Sequence, residues 1–316
     1  MKKEDKSVFM AMIVKLYYID HKGQVEIAKM LNISQAKVSR LLAEARQCGM
    51  VQVQVGHYEP RNKDLEQEIT KALGIRDVTV IRSWNKQSQE VHYKNIGYFA
   101  APFVAQMIKP ESTICISAGR HIAHLVSEFP QEEIRGTSVI QTMGSVGHSL
   151  NYYDAAELGR KLARRIRGSF YQLQAPAIAT SPTERDLFMK HPLIESVLKR
   201  MNKVDVAIVG IGTPKDSVFI EKKVIKGEDV KTLEAQQVIG EICGRFYDIN
   251  GTAKNTKYSE CVIGITLEQL RKIPQVVGIT SGAHRAAAIR GAIAGNIIKA
   301  LVTDEETAEA LLAYGA

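Results

Sequence analysis

The apolar positions of this chain keep a helical period near its start and then break into short β-rich runs separated by helical stretches. Val8, Met12, Leu16 and Ile19 recur every three to four residues and the run stops at Asp20-His21-Lys22-Gly23, so the spacing predicts a first helix. Val25, Ile27, Ala28 and Leu31 fit a short second helix closed by Asn32, and Ser34 stands where an N-cap starts a third, over about Gln35 to Gln47. After Gly49, the residues Val51, Val53 and Val55 alternate with Gln52 and Gln54, the two-residue period of a β-wing.

Two short helices joined through Asn32-Ile33-Ser34 have the spacing of a helix-turn-helix, whose second helix is free to enter a major groove. On that helix Val38, Leu41, Leu42 and Ala45 share one face and pack inward, while Gln35, Lys37, Ser39, Arg40 and Arg46 cannot all share it. Gln and Arg pair bidentately with adenine and guanine edges, and Lys and Ser suit phosphates or either base. Gln24, Ser34, Gln35, Lys37, Ser39 and Arg40 are therefore the candidate DNA contacts. On periodicity alone, a small amphipathic helical bundle with a solvated polar face is the alternative.

Residues 56–63 are polar, contain Gly and Pro, and precede an amphipathic stripe of Leu65, Ile69 and Leu73 ending at Gly74. This places a boundary near residue 60, with a DNA-binding domain over 1–60 and a larger domain over 61–316. In the larger domain Val78–Ile81, Ile114–Ser117, Val139–Met143, Val204–Val209, Val262–Thr266, Val276–Thr280 and Ala300–Thr303 are predicted strands alternating with helices. That alternation implies an α/β, doubly wound, mostly parallel sheet.

Four of these strands run into small residues: Ser117-Ala118-Gly119, Gly144-Ser145-Val146-Gly147, Gly210-Ile211-Gly212-Thr213 and Ser281-Gly282. Ligands of open α/β sheets lie at the carboxyl ends of strands, where glycine allows close backbone approach, so a phosphorylated or polyhydroxylated small molecule is expected there. Neither a complete dinucleotide fingerprint nor a P-loop occurs, and no NAD, ATP or other cofactor is expected. His121 and His124 stand i, i+3 without a companion ligand at metal-binding spacing, and no metal is expected either.

Composition narrows the classes further. With 45% hydrophobic and 24% charged residues the chain is too apolar for whole-chain disorder. Residues 1–61 hold 10 basic and 6 acidic side chains, so a fifth of the chain carries +4 of the +8 net charge, a balance compatible with nucleic-acid binding. No stretch has the length and apolarity of a spanning helix, and MKKEDKSVF lacks a signal-peptide core, so a cytoplasmic protein with no membrane association is expected. Cys48, Cys115, Cys243 and Cys261 are far apart in apolar surroundings, which predicts buried thiols rather than disulfides or zinc ligands.

The segments QVEIAKMLNISQAKVSRLLAEARQCGMVQVQV, DVAIVGIG at Asp205–Gly212, GEICGRFYDINGT at Gly240–Thr252 and the long block Val262–Leu312 together resemble the SorC family of sugar-responsive transcriptional regulators, the DeoR/CggR type. The resemblance covers nearly the whole chain. It implies a winged helix-turn-helix joined to a Rossmann-like effector domain similar to sugar-phosphate isomerases and deaminases, with operator DNA and a phosphorylated sugar or polyol as partners. It also implies a homodimer or homotetramer on paired half-sites. The implied effector residues here are Ser117, Gly119, Arg120, His121, Gly144, Ser145, Glu241, Ser281, Gly282 and Arg285.

Two positions depart from the family pattern. Ser281-Gly282-Ala283-His284-Arg285 stands where a Gly-Gly pair and a phosphate-binding Lys are usual, and Gly119-Arg120-His121 replaces Gly-Arg-Thr. Arginine keeps the charge and offers a fork for phosphate oxygens. Among other acids, Asp248 and Asp304 are weaker candidates for hydroxyl recognition, Asp304 serving equally as a helix cap ahead of Glu305 and Glu306. Asp154 and Glu157, ahead of the basic run Arg160 to Arg167, fit a solvated helix face. A sugar-phosphate isomerase or deaminase with an appended interaction module is the alternative reading, but no residue spacing defines a nucleophile or acid–base pair, and a non-enzymatic regulator is expected.

Overall fold

The computed structural model describes residues 3–51, 60–83, 88–147 and 151–314; the predicted wing beyond Val51 lies outside them. The chain forms two units, Met1–Glu59 and Pro60–Ala316.

In the first unit α1 (Lys3–Val14) continues as a π-helical turn over Lys15–Ile19, followed by α2 (Gln24–Met30) and α3 (Gln35–Gln47). Ile13, Ile27, Val38, Leu42 and Ala45 are buried together at their centre. The face that α1 buries is Met10 and Ile13, whereas Val8 and Ile19 are 72% and 69% exposed. The segment is apolar almost all round, so two stripes satisfy the helical period and only packing against the neighbouring helices selects one. Val25 is likewise exposed. Asn32 turns the chain between α2 and α3 with φ at +51°, a conformation asparagine tolerates better than most residues. Ser34 caps α3 by accepting the Lys37 N–H at 3.2 Å.

The second unit opens with α4 (Lys63–Leu73), capped by Asn62 and closed by Gly74 at φ +69°. Then come β1 (Asp77–Ile81), α5 (Gln89–Ala105), β2 (Thr113–Ile116), α6 (Arg120–Glu128), β3 (Ser138–Gln141), α7 (Ala155–Ile166) and β4 (Ser169–Tyr171). Helices α8 (Pro182–Lys190) and α9 (Pro192–Arg200) lead to β5 (Val206–Gly210), α10 (Val218–Glu221) and α11 (Gly227–Ala235). A hairpin of β6 (Gly240–Ile242) and β7 (Arg245–Tyr247) precedes α12 (Leu267–Lys272), β8 (Gln275–Ile279), α13 (Ala286–Ala294), β9 (Ala300–Asp304) and α14 (Glu305–Ala313).

Seven strands form one sheet in the order β1-β9-β8-β5-β2-β3-β4, and all its pairings are parallel. Ile114, Ile116, Val206 and Ile208 point into a core shared with α5, α6 and α7. Cys115, Ala207 and Val209 point into the core on the opposite face. Alternate residues of each central strand thus enter two separate hydrophobic layers, which is why these strands are apolar throughout.

Two expectations fail. Val262–Thr266 is not a strand: it makes isolated bridges from Val262 to Ile178 and from Gly264 to Met143, and the Arg245 guanidinium takes the carbonyls of Val262, Gly264 and Ile265. The remaining sheet position belongs to β4, a three-residue edge strand with little apolar signature. Cys48 is exposed rather than buried.

Candidate functional site

The strand order reverses between β2 and β5: from β2 the chain moves outward through β3 and β4, and from β5 through β8 and β9 in the other direction. Loops leaving adjacent strands at such a point diverge, which opens a crevice at their carboxyl ends. The cleft here is lined by Ser117–His121 after β2, Gly210–Gly212 and Asp216–Val218 after β5, and by Tyr93, Tyr153, Glu221, Glu241 and Arg285.

Ser117 ties the two strand ends together: its Oγ accepts the Gly210 N–H at 3.0 Å and donates to Ala118 O at 3.1 Å. Gly119 then starts α6 at φ +143°, where an L side chain is strained although space for a Cβ exists. Arg120 follows at the cleft mouth and donates to Glu221 Oε1 at 2.7 Å while stacking 5.0 Å from the Tyr153 ring. The Tyr153 hydroxyl donates to the same carboxylate oxygen at 2.5 Å. Asp154, expected on a solvated face, is instead buried against Lys222 Nζ at 2.7 Å, so α10 and the start of α7 are joined on both sides of Tyr153.

The buried acid of the cleft is Glu241 on β6, held in place by paired backbone bonds between Gly212 and Glu241 of 3.0 and 2.9 Å. Burial pushes its carboxyl up to about 7, against the opposing effect of the Gly244 N–H and the Ser217 hydroxyl, which donate to it at 2.5 and 3.2 Å. Cys243 at φ +52° and Gly244 at φ +77° make the two-residue turn that brings this N–H back onto the carboxylate.

Arg285 faces Asp216 across the cleft. One guanidinium nitrogen donates to Asp216 Oδ2 and the other to Ser281 O, and His284 Nε2 lies 2.9 Å from the same Asp216 oxygen. Burial works to raise the Asp216 carboxyl, but Arg285, Thr213 and His284 outweigh it and hold the group below the ordinary carboxylate range. His121 lies behind them with Nε2 at 2.7 Å from Ser281 Oγ and its ring edge-on to Tyr93. Burial, then the Arg285 charge and His92, push its imidazole down to about 3, so it is a neutral hydrogen-bonding group.

Ser117, Gly119, Arg120, His121, Glu241 and Arg285 thus converge on one cleft. Ser281 and Gly282 stand behind it: Ser281 orients His121 and Arg285, and the Gly282 N–H donates to Thr307 Oγ1 at 2.6 Å. Gly144 and Ser145 are not in its lining, where Met143 stands instead. A Cβ on Gly144 would lie 2.3 Å from Pro176 O, and Ser145 bonds through its backbone to Ala175 and Ala177. Asp216, Glu221, Tyr93 and Tyr153 were not foreseen; only Asp216 had a sequence signal, as a carboxylate a few residues beyond Gly210-Ile211-Gly212.

The cleft has a cavity volume of about 100 Å³, below the roughly 300–1,000 Å³ of a typical small-molecule site, and it is open to solvent on one side. In the first unit, Ser34 at the N-cap and Gln35, Lys37, Ser39 and Arg40 around the solvent side of α3 are exposed, and Gln24 is half-buried at the start of α2.

A helix-turn-helix unit and a switch-point cleft with cations, hydroxyls and a buried acid define a class, DNA-binding regulators that carry a sugar-binding domain. The chain belongs to the SorC family of sugar-binding transcriptional regulators: residues 58–313 match the family described as "Putative sugar-binding domain", and the chain is 30% identical to the sorbitol operon regulator of Klebsiella pneumoniae over 99% of its own length and all of that protein's. The crystal structure of that full-length regulator superposes with a TM-score of 0.78, covering 96% of this chain and 98% of that one. The deoxyribonucleoside regulator of Bacillus subtilis is 25% identical, over 94% of this chain and 95% of its own.

Proposed function

We propose that this protein represses or activates carbohydrate-metabolism genes by binding operator DNA through α3, under control of a phosphorylated sugar or polyol bound in the cleft between the ends of β2 and β5. The observation that carries the reading is the convergence of Arg285 and Arg120 with the hydroxyl of Ser117 and the carboxyl of Glu241 at the switch point. Guanidinium groups suit phosphate oxygens, and a carboxyl with hydroxyl neighbours suits the hydroxyls of a sugar chain. Residues 1–60 serve DNA and residues 61–316 the effector and self-association, and the protein acts in the cytoplasm as a homodimer or homotetramer. Among the described residues no helix is long and apolar enough to cross a membrane. A ligand that prefers one arrangement of the effector domains shifts the spacing of paired recognition helices by that differential affinity.

The test is a mobility shift with the purified protein on DNA from upstream of its own gene, titrated with phosphorylated sugars and polyols. A sequence-selective shift altered by one compound supports the reading. Salt-insensitive or absent binding on every fragment sinks it.

A further inference from the structure

The cation assigned above to the effector's anionic group already carries an anion. Arg285 spends one guanidinium nitrogen on the Asp216 carboxylate and the other on the Ser281 carbonyl, while its Nε is buried without a partner among the described residues. Asp216 is not a casual surface partner. Its Oδ1 accepts the Thr213 N–H at 2.7 Å and the Thr213 hydroxyl at 2.6 Å, which fixes the carboxylate on a closed turn just beyond β5. The Arg285 side chain is 14% exposed and that of Asp216 is 27% exposed, so water screens this pair only partly. Arg120, the other arginine of the cleft lining among the described residues, is also occupied, by Glu221.

A ligand that is to use the Arg285 fork must therefore displace Asp216 or place its own negative charge beside it. A neutral polyol offers nothing to drive that exchange. A carboxylate offers one charge, equal to the one it would displace, without the Thr213 turn that holds Asp216 in position. A phosphomonoester brings between one and a half and two charges and three acceptor oxygens, enough to engage both Nη2 and the unpartnered Nε.

We propose that Asp216 is an internal counter-anion that sets the selectivity of the cleft, reserving Arg285 for ligands bearing a phosphate group and excluding neutral or carboxylate-bearing sugars. This rests on the cleft being the effector site. Asp216 is a specificity-determining residue, and its loss relaxes the discrimination that the arginine alone cannot make.

The test is calorimetric titration of the full-length wild type and Asp216→Asn with inorganic phosphate, glucose 6-phosphate, sorbitol 6-phosphate, gluconate and sorbitol. Asparagine keeps the shape and the Thr213 contacts but removes the charge. The expected result is inorganic phosphate and the phosphate esters binding at least about tenfold more tightly to the variant, with gluconate binding the variant measurably and the wild type not. Thr213→Val, which keeps the Asp216 charge but loosens its turn, moves the same affinities in the same direction by less, and it serves if Asp216→Asn does not fold. Phosphate esters binding the variant no more tightly than the wild type overturn the proposal while leaving the cleft as the effector site. Phosphate esters and inorganic phosphate binding neither protein overturn the effector reading itself.

Discussion

The side-chain amide of Asn62 donates to Glu305 Oε1 at 2.8 Å, joining the residue that caps α4 to the first turn of α14. The other Glu305 oxygen accepts the Ser83 N–H at 2.8 Å, and the Asn62 N–H donates to Val80 O at 2.8 Å, so the entry to the second unit, the end of β1 and α14 form one hydrogen-bonded corner. The same helix start reaches the cleft, because Thr307 accepts the Gly282 N–H and donates its own N–H to Asp304 at 3.2 Å. The loop after β8 and the segment that opens the second unit therefore share a single helical turn.

Glu305→Ala removes the acceptor for two of these donors. A hydrogen bond to a charged group contributes roughly 1.5–3 kcal/mol and unsatisfied partners add to the loss, but the Asn62 and Ser83 donors are near the surface and regain water, so about 1–2 kcal/mol is expected. Urea unfolding followed by circular dichroism checks this: the midpoint falls with unchanged slope. An unchanged midpoint would show that the corner is held by α14 packing alone.

Glu241 makes stability depend on pH in a sense opposite to an ordinary salt-bridged acid. Its folded carboxyl titrates near 7 because burial favours the neutral form, whereas the unfolded chain titrates in the usual glutamate range. Between those two values the unfolded state loses its proton first, so this group lowers stability as pH rises from about 4.5 to about 7 and has no further effect above. Glu241→Gln removes the decline, and thermal melts at several pH values should show the variant gaining on the wild type by about 2–3 kcal/mol between acid and neutral conditions. Parallel curves for the two proteins would mean that the carboxyl is already ionised in the fold.

Arg285→Ala removes the fork from the cleft. Charge-assisted hydrogen bonds of this kind contribute about 1.5–3 kcal/mol, which corresponds to a loss of roughly 10- to 100-fold in affinity for a phosphorylated effector by calorimetry. The effect is expected to be much smaller for Arg285→Lys, which keeps the charge but not the second donor. Wild-type affinity in Arg285→Ala would place the anion site elsewhere.

Much of this architecture was legible because buried parallel strands announce themselves: Val78–Ile81, Val276–Thr280 and Ala300–Thr303 are short runs dominated by apolar residues, with threonine as their polar side chain, and each falls on a strand entering two cores. The same rule misassigned Val262–Thr266, equally apolar, whose carbonyls are taken by Arg245, a long-range partner that no local pattern reveals. In α1 the sequence contains two apolar stripes and tertiary packing alone decides that Ile13 is buried and Val8 exposed. Glu241 and Arg285 were visible as charges within glycine-rich strand-end segments. Glu221 and Tyr153 were not, and Asp216 only as a carboxylate beyond a glycine turn, because their significance lies in pairings such as Arg120 with Glu221 that exist only after β2 and β5 become neighbours. Gly144, at the end of β3, has a requirement that no local pattern reveals: a Cβ there would meet the carbonyl of Pro176.

Arg40 is exposed on α3, opposite the buried Val38, Leu41 and Leu42, and its Nε donates to the Ala36 carbonyl at 3.4 Å. If α3 is the recognition helix, this arginine either pairs with a guanine edge or contacts a phosphate, and the two outcomes separate cleanly. Arg40→Ala should weaken operator binding by about 1–3 kcal/mol in either case. Loss of a base contact relaxes discrimination at one operator position with little change in salt dependence, whereas loss of a phosphate contact weakens all sequences alike and lowers the salt slope by about 1. Because the substitution removes no buried contact, thermal stability stays within about 0.5 kcal/mol of wild type, so a change in binding reports the interface rather than the fold. Unaltered affinity, selectivity and salt slope on a specific operator would remove the exposed edge of α3 around Arg40 from the DNA interface.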